Sequence, residues 1–503
     1  MNNGRIFGRL IGLFLIMAML TGIIACAEND TKSPSDSNET TSQANADTTD
    51  EILKPNLPDE NFEGREYLVM GRDDKTYDQF RNFEFWVEET GSDVVSDAVY
   101  RRNVTIEERY NVKIAQELVV DTTGQLKKLV ASSEDVYDVV ALHNFSNVSS
   151  LAVSHHMIDL NTIEHIDFTK PWWNADVNAE ISFGDKLFYT TSDYLLLDKQ
   201  RTYILIFNKN MVENYSLGNL YQTVRDNKWT ADAMLNTLVT VSDDIDGDGK
   251  KTDQDQYGLG MDSYLSFYTF YTAMGGRIVG RDDENMPKFE MNNNKNVSIV
   301  EKLMTLTCNT DIAFFCNDFN GKVSYDFWMT MQRTFYANRL LFMSVFPHSL
   351  KSISANTDVD FDYGVVPFPK FDESQEKYYT IPDNYHSMVL AVPITNQDPA
   401  FSGFMLEALS AESMTTTLPA YYEISCKTKY TYDEESAEML DIVFSGIIYD
   451  LGAIYDWGGL CTMLKDTIPA SKNNNFSSQY AKLEPRAITA MEKTITEFEK
   501  YGS

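Results

Sequence analysis

Between Arg65 and Leu142 the apolar residues switch repeatedly between a period of two and a helical period, and that alternation restricts the fold more than any other stretch. Arg65-Glu-Tyr-Leu-Val-Met-Gly71 reads as a strand that ends in the loop Gly71-Arg72-Asp73-Asp74. Val94, Val95, Ala98, Val99, Val104 and Ile106 then recur at helical spacing, with Ser92 or Asp93 as N-cap and Asn111 as the stop. Val112–Leu118 is a second strand, 122–133 a second helix, and Val136–Leu142 a third strand, apolar on both faces. Strand, helix, strand, helix, strand is the sign of a mainly parallel α/β sheet. Such sheets hold ligands outside the carboxyl ends of their strands, here Gly71-Arg72-Asp73 and His143-Asn144-Phe145. Phe83–Glu89 alternates apolar and charged residues and predicts a further extended piece.

The amino end carries a different message. Arg5 and Arg9 precede an apolar run from Ile11 to Ile24, which closes on Ile23-Ile24-Ala25-Cys26. An apolar pair, a small residue and Cys resemble a bacterial lipobox, so residues 1–25 are expected to be a lipoprotein signal peptide and Cys26 the lipid-bearing residue. The alternatives are an ordinary secretory signal with a chance Cys, or an uncleaved anchor, for which the run falls short of the roughly 20 apolar residues a span needs. Residues 26–61 are rich in Ser, Thr, Asn, Asp and Glu; too little apolar surface lies there to offset ordering entropy, which predicts a disordered tether. The remainder is placed on the extracellular face of the membrane, lipid-anchored.

A formal net charge of −33 repels phosphate backbones and excludes nucleic acid as a partner. The chain has 503 residues, enough for two or three lobes with sizeable cores. Aromatic residues make up 13%, which suits clefts for flat carbohydrate faces and equally a large core. Cys308, Cys316, Cys426 and Cys461 have no zinc-site spacing; Cys308 and Cys316 are close enough in sequence for a local disulfide, but free buried thiols are expected.

Further along, Lys170-Pro-Trp-Trp-Asn174 places two tryptophans behind a proline, and a new lobe is expected from about Pro171. Lys186–Tyr189 and Tyr203–Asn208 read as strands, Trp229 as a core residue ahead of the N-cap Thr230, and Leu340–Phe346 as a buried strand returning to the first sheet. From Gly403 the chain is mainly helical.

The lipobox, Asn111-Val-Lys-Ile, Met157-Ile-Asp-Leu before Pro171-Trp-Trp-Asn, Phe207-Asn-Lys, Lys228-Trp-Thr, the Asp-rich loop into Asp255-Gln-Tyr-Gly258, Tyr363-Gly-Val-Val-Pro-Phe-Pro369 and Pro393-Ile-Thr395 occur in this order. Together they resemble the family 1 extracellular solute-binding proteins of ABC transporters, in the lipoprotein form common among Clostridia-like Gram-positive bacteria. That resemblance covers nearly all of the chain beyond the signal. It implies an α/β, two-lobe periplasmic-binding-protein-like fold of type II, with discontinuous lobes joined by a hinge and a helical C-terminal region. The expected lobes are 62–168 with 325–370, and 169–324 with 371–503. It further implies a monomer that closes on a carbohydrate ligand and docks on ABC transporter permease subunits.

Asp244-Ile-Asp246-Gly-Asp248-Gly249-Lys250-Lys-Thr252-Asp-Gln-Asp255 has the spacing of a calcium loop. Asp244, Asp246 and Asp248 would supply carboxylates, Lys250 its backbone carbonyl, Thr252 a water-mediated contact, and Asp255 the closing position where Glu is usual. A structural Ca²⁺ is expected; the alternative is a solvated acidic turn.

A sugar cleft needs flat aromatic faces with carboxylate and amide partners. The candidates are Arg72, Asp73, Asn144, Asp193, Tyr194, Trp328, His348 and Tyr385, with Trp172, Trp173 and Trp457. For any one aromatic residue the core is the competing assignment. Two other functions fit the composition: a surface glycan-binding adhesion lipoprotein without a transporter, and a surface glycosidase. The glycosidase would need a carboxylate pair across a sugar site, which so acidic a chain always offers. No Gly-x-Ser-x-Gly or His-Glu-x-x-His is present, and a non-enzymatic role is expected.

Overall fold

The computed structural model describes residues 54–74, 80–91, 93–143, 145–357, 359–422 and 433–501. Cys26, Asn144, Cys426, the signal and nearly all of the tether lie outside the described residues. No helix among the described residues is long and apolar enough to cross a membrane.

The strands, in chain order, are β1 (Arg65–Arg72), β2 (Val112–Val119), β3 (Val139–His143), β4 (Ile204–Asn208), β5 (Tyr257–Met261), β6 (Val279–Arg281), β7 (Pro287–Phe289), β8 (Ala313–Phe315), β9 (Leu340–Val345), β10 (Tyr363–Val366) and β11 (Met388–Ala391). Two sheets organise them, ordered β11-β3-β1-β2 and β10-β4-β9-β5-β8, while β6 and β7 form a separate ribbon. In the first sheet β1 is parallel to both β2 and β3, and β11 runs antiparallel to β3. In the second, β5 is parallel to β8 and β9, with β4 antiparallel to its neighbours β9 and β10.

The opening alternation is built as its residues dictate. Asp93 caps helix Val94–Tyr110 through the amides of Val95 and Ser96, at 2.9 and 3.1 Å, and Asn111 ends it at φ 49° in the left-handed region. Val95, Val99 and Ile106 are buried on its inner side. Phe83–Glu89, in contrast, forms no strand. Its carbonyls are taken by side chains: Arg102 Nη2 donates to Glu84 O at 2.8 Å and Phe85 O at 3.1 Å, and Asn103 Nδ2 to Phe85 O at 2.9 Å. Lys186–Tyr189 is likewise no strand; this stretch is bounded by single bridges from Phe183 to Lys186 and from Thr190 to Leu390.

The expected lobe boundaries require correction. Leu340–Val345 sits between β4 and β5 in the second sheet and does not return to the first. All its residues are buried, so it suits the middle of either sheet. The connection decides: β8 leads through helix Thr330–Tyr336 into β9, a short crossover that delivers a parallel strand to the same sheet. Met388–Ala391, assigned to the second lobe, pairs with β3 in the first sheet. Residues 325–370 and 371–503 therefore do not divide as expected.

The chain crosses between the sheets in adjacent passages. Thr202 bridges Pro382, Tyr203 N donates to Ile381 O at 3.1 Å, and Thr380 bridges Ile447. These passages, near 200–203, 380–384 and 446–450, form the junction between the lobes. Helix Glu434–Ser445 packs on β10, with Ser436 Oγ accepting from Val365 N at 3.0 Å. The C-terminal helices, ending in Phe476–Glu499, touch both lobes.

Candidate functional site

Carboxyl ends of both sheets meet at the crossovers. Arg72 closes β1, His143 closes β3, and Pro347 and His348 follow β9. Between them lies Arg201, nearly sealed from solvent, with its Nη2 2.9 Å from Asp383 Oδ2. Arg201 Nη1 stands 3.2 Å from the His348 ring nitrogens, and Asp383 Oδ2 is 2.6 Å from His386 Nδ1. The guanidinium lies over Phe346 at 4.3 Å and Phe80 at 4.5 Å, and Phe80 stacks on His386 at 3.9 Å. Arg72 joins from the first sheet, paired with Asp74 at 2.9 Å and lying 5.3 Å from the Phe80 ring centroid. From β5, Asp262 accepts from Tyr203 Oη at 3.1 Å and Ser266 Oγ at 2.7 Å. One network thus ties both sets of strand ends to the crossover.

Its charges are set by burial and by each other. Burial, then Arg201, pushes His348 down to about 3, and burial with Arg72 and His386 lowers His143 to about 4, so both rings are neutral at pH 7. Burial raises Asp262 to about 6, reinforced by Asp383. Burial works against the Asp383 carboxylate too, but the His386 hydrogen bond and Arg201 outweigh it and hold the group at about 2. The result is an ion pair fixed at the junction, with the neutral His348 ring and the faces of Phe80 and Phe346 against it. The parts of it that solvent reaches, Phe80, Tyr385 and His386, offer planar faces with hydrogen-bonding groups, held in place by the buried pair beneath.

Of the expected ligand residues, the structure gathers Arg72, His348 and Tyr385 here. The ring of Tyr385 is exposed and faces Lys465 Nζ at 4.9 Å. Trp328 lies beyond the end of β8, where its carbonyl accepts from Cys316 Sγ at 3.6 Å; it is 48% exposed and lies tilted against Phe327, with ring centroids 4.4 Å apart. Asp73 continues from β1 and pairs with Arg81 at 3.5 Å. Trp457 and Tyr194 are corrections. Trp457 is buried among the C-terminal helices, donating to Thr494 Oγ1 at 2.9 Å and stacking on Tyr455. Tyr194 is buried beneath Arg102 and against Phe85. Trp172 and Trp173 are likewise almost fully buried, and with Asp193 they stand elsewhere, lining a separate cavity of about 440 Å³. Trp173 is anchored there by Glu407, its Nε1 2.7 Å from Oε2.

Sequence reasoning missed Phe80, Arg201, Phe346, Asp383 and His386. A usable signal existed: the chain has only 6 His, and His143, His348 and His386 all fall at strand ends or crossovers. Trp229 is in the core as expected, donating to Pro367 O at 2.9 Å. Cys308, Cys316 and Cys461 are free and buried.

The acidic loop folds on its own carboxylates. Gly249 N and Gly247 N donate to Asp244 at 2.7 and 3.0 Å, both glycines at positive φ, and Asp255 accepts from Ile245 N at 2.9 Å and Thr252 N at 2.7 Å. Carboxylate oxygens of Asp244, Asp246 and Asp255 come within 4.8 Å of one another. Asp248 accepts from Lys250 N at 2.7 Å and is not in that group. The carboxylate part of the expected oxygen set therefore converges in part.

No family model and no curated protein matches this chain. Solved structures do. A cyclo/maltodextrin-binding protein complexed with maltotetraose aligns at TM-score 0.55 and 11% identity, over 86% of this chain and 97% of that one. UspC of M. tuberculosis aligns at 0.54 and 12%, over 84% and 100%. A sugar transporter of Rhizobium etli in an open conformation aligns at 0.53 and 14%, over 86% and 99%. These likenesses establish the two-lobe binding-protein fold, α/β with a helical C-terminal region.

Proposed function

We propose that this chain is a lipid-anchored extracellular solute-binding protein. It captures a sugar or oligosaccharide between its lobes, without chemistry, and delivers it to ABC transporter permease subunits. The observation that carries this reading is the network at the crossover, where Arg72, Arg201, His348, Asp383 and His386 join the strand ends of both lobes beside Phe80, Phe346 and Tyr385. Aromatic faces with neutral and charged hydrogen-bonding groups suit a ligand with apolar C–H faces and a rim of hydroxyls. Likeness in fold to a protein complexed with maltotetraose supports the same ligand class. Cys26 at the end of the apolar run supports lipid anchoring, and two acyl chains there would hold the protein at the membrane.

Asp244, Asp246 and Asp255, with the Lys250 carbonyl, are proposed to hold a structural Ca²⁺, joined by Asp248 and, through water, Thr252 when the loop tightens. The ion would brace the turn before β5 and take no part in capture.

A thermal-shift screen against mono- and oligosaccharides, with and without calcium, tests the reading. A micromolar ligand at millimolar concentration stabilises by about 4 kcal/mol through RT ln(1 + [L]/Kd). A panel that shifts nothing, or a bound glycan recovered cleaved, overturns it.

A further inference from the structure

The cavity of about 440 Å³ that holds Trp172, Trp173 and Asp193 shares no lining residue with the crossover network. One wall comes from the first lobe, residues 171–177 and 191–199; the other is Phe444, Ile447 and Tyr449 at the third crossover. Asp176, Asp193 and Asp198 line it against a single cation, Lys199. Lys199 Nζ stands 3.7 Å from Asp193 and 3.6 Å from Asp198, outside hydrogen-bond reach of both, and donates instead to Leu195 O at 3.3 Å. Burial raises the Asp193 carboxyl to about 6 against the pull of the Lys199 ammonium with which it pairs. Tyr449 is only 4% exposed, and its buried hydroxyl has no hydrogen-bond partner among the described residues.

We propose that this cavity is a second binding site, for a small organic ammonium compound. Carboxylates outnumber cations around it, so a ligand carrying one positive charge relieves the imbalance where a neutral polyol does not. A buried polar group without a partner is costly, and an ammonium ligand that pairs with Asp193 and places an N–H donor at the Tyr449 hydroxyl removes that cost. Phe444 and Ile447, both partly exposed, give the carbon body an apolar lining, and Phe444 offers it a cation–π face, while Trp172 and Trp173 line the cavity from almost fully buried positions. A bare divalent ion is the poorer fit, because it wants six or more oxygens closing on one point, whereas this space has the size and mixed lining of a small-molecule site. Since one wall is first lobe and the other is crossover, the occupant touches both sides of the junction.

The test is calorimetric titration of the full mature chain with ethanolamine, choline and putrescine as chlorides, and with glycerol and sodium chloride as controls. At least one amine should bind saturably while both controls fail to bind. Asp193→Asn should weaken that binding tenfold or more. Tyr449→Phe removes only a hydroxyl with no hydrogen-bond partner among the described residues, so it is expected to fold, and it should weaken binding several-fold. Absence of binding by all the amines at millimolar concentration overturns the proposal, as does equal binding by glycerol or by both variants. Should Asp193→Asn fail to fold, Tyr449→Phe alone decides. Sugar binding is scored separately in the thermal screen, so either site can fail without the other.

Discussion

His348 and His143 tie stability to acidity. Each is neutral in the fold with its pKa pushed to about 3 and about 4, below the ordinary value near 6.5. Below that ordinary value the unfolded chain takes up protons that the folded chain refuses, so stability falls as pH drops from about 6.5 toward the folded values. At pH 5 each ring costs about 2 kcal/mol relative to pH 7. His348→Gln should therefore show a smaller loss between pH 7 and 5 than wild type in urea melts; an unchanged loss refutes the assignment. Asp383 works in the opposite sense. Held at about 2, it contributes stability present above its ordinary value near 3.8 and lost as pH falls toward 2. Arg201→Met strips that buried carboxylate of its main cation and should cost about 3–5 kcal/mol, while Arg201→Met with Asp383→Asn should recover much of the loss. The midpoint of denaturation reads both.

Among the elements, the crossovers and the helix ends are where single changes are felt most. Gly446 begins the third crossover, and a Cβ placed there would collide with the backbone carbonyl of Tyr378 on the second. Gly446→Ala should push these passages apart and cost about 1–3 kcal/mol, seen as a lower midpoint with unchanged slope. Asp93→Ala removes both capping bonds from helix Val94–Tyr110 and should cost about 1 kcal/mol. The helix and strands from 65 to 143 were legible because local spacing and capping specify them. Phe83–Glu89 was not, since its partners are Arg102 and Asn103, on a helix that packs over it rather than on a neighbouring strand. Alternation along a stretch says which side is apolar, not what takes its hydrogen bonds.

For the whole molecule, the proposed hinge predicts compaction in solution scattering when the correct sugar is added; an unchanged radius of gyration with bound sugar would refute closure. Cys26→Ser should release the chain to the medium, as read by fractionation. By itself the sequence determined the α/β alternation of the first lobe, the helical carboxyl region and an acidic loop of calcium-like spacing, because each rests on residues close together in the chain. It placed Arg72, His348 and Tyr385 as candidates for the same reason: strand ends and turns are local features. Only the tertiary structure decided that β9 lies in the second sheet and β11 in the first, that Arg201 meets Asp383 and His386, and that Tyr194 and Trp457 are core. Those outcomes depend on contacts between segments well separated in the chain, by 182 residues for Arg201 and Asp383 and by 37 for Trp457 and Thr494. A buried apolar strand or a tryptophan carries no local mark of which neighbour will cover it.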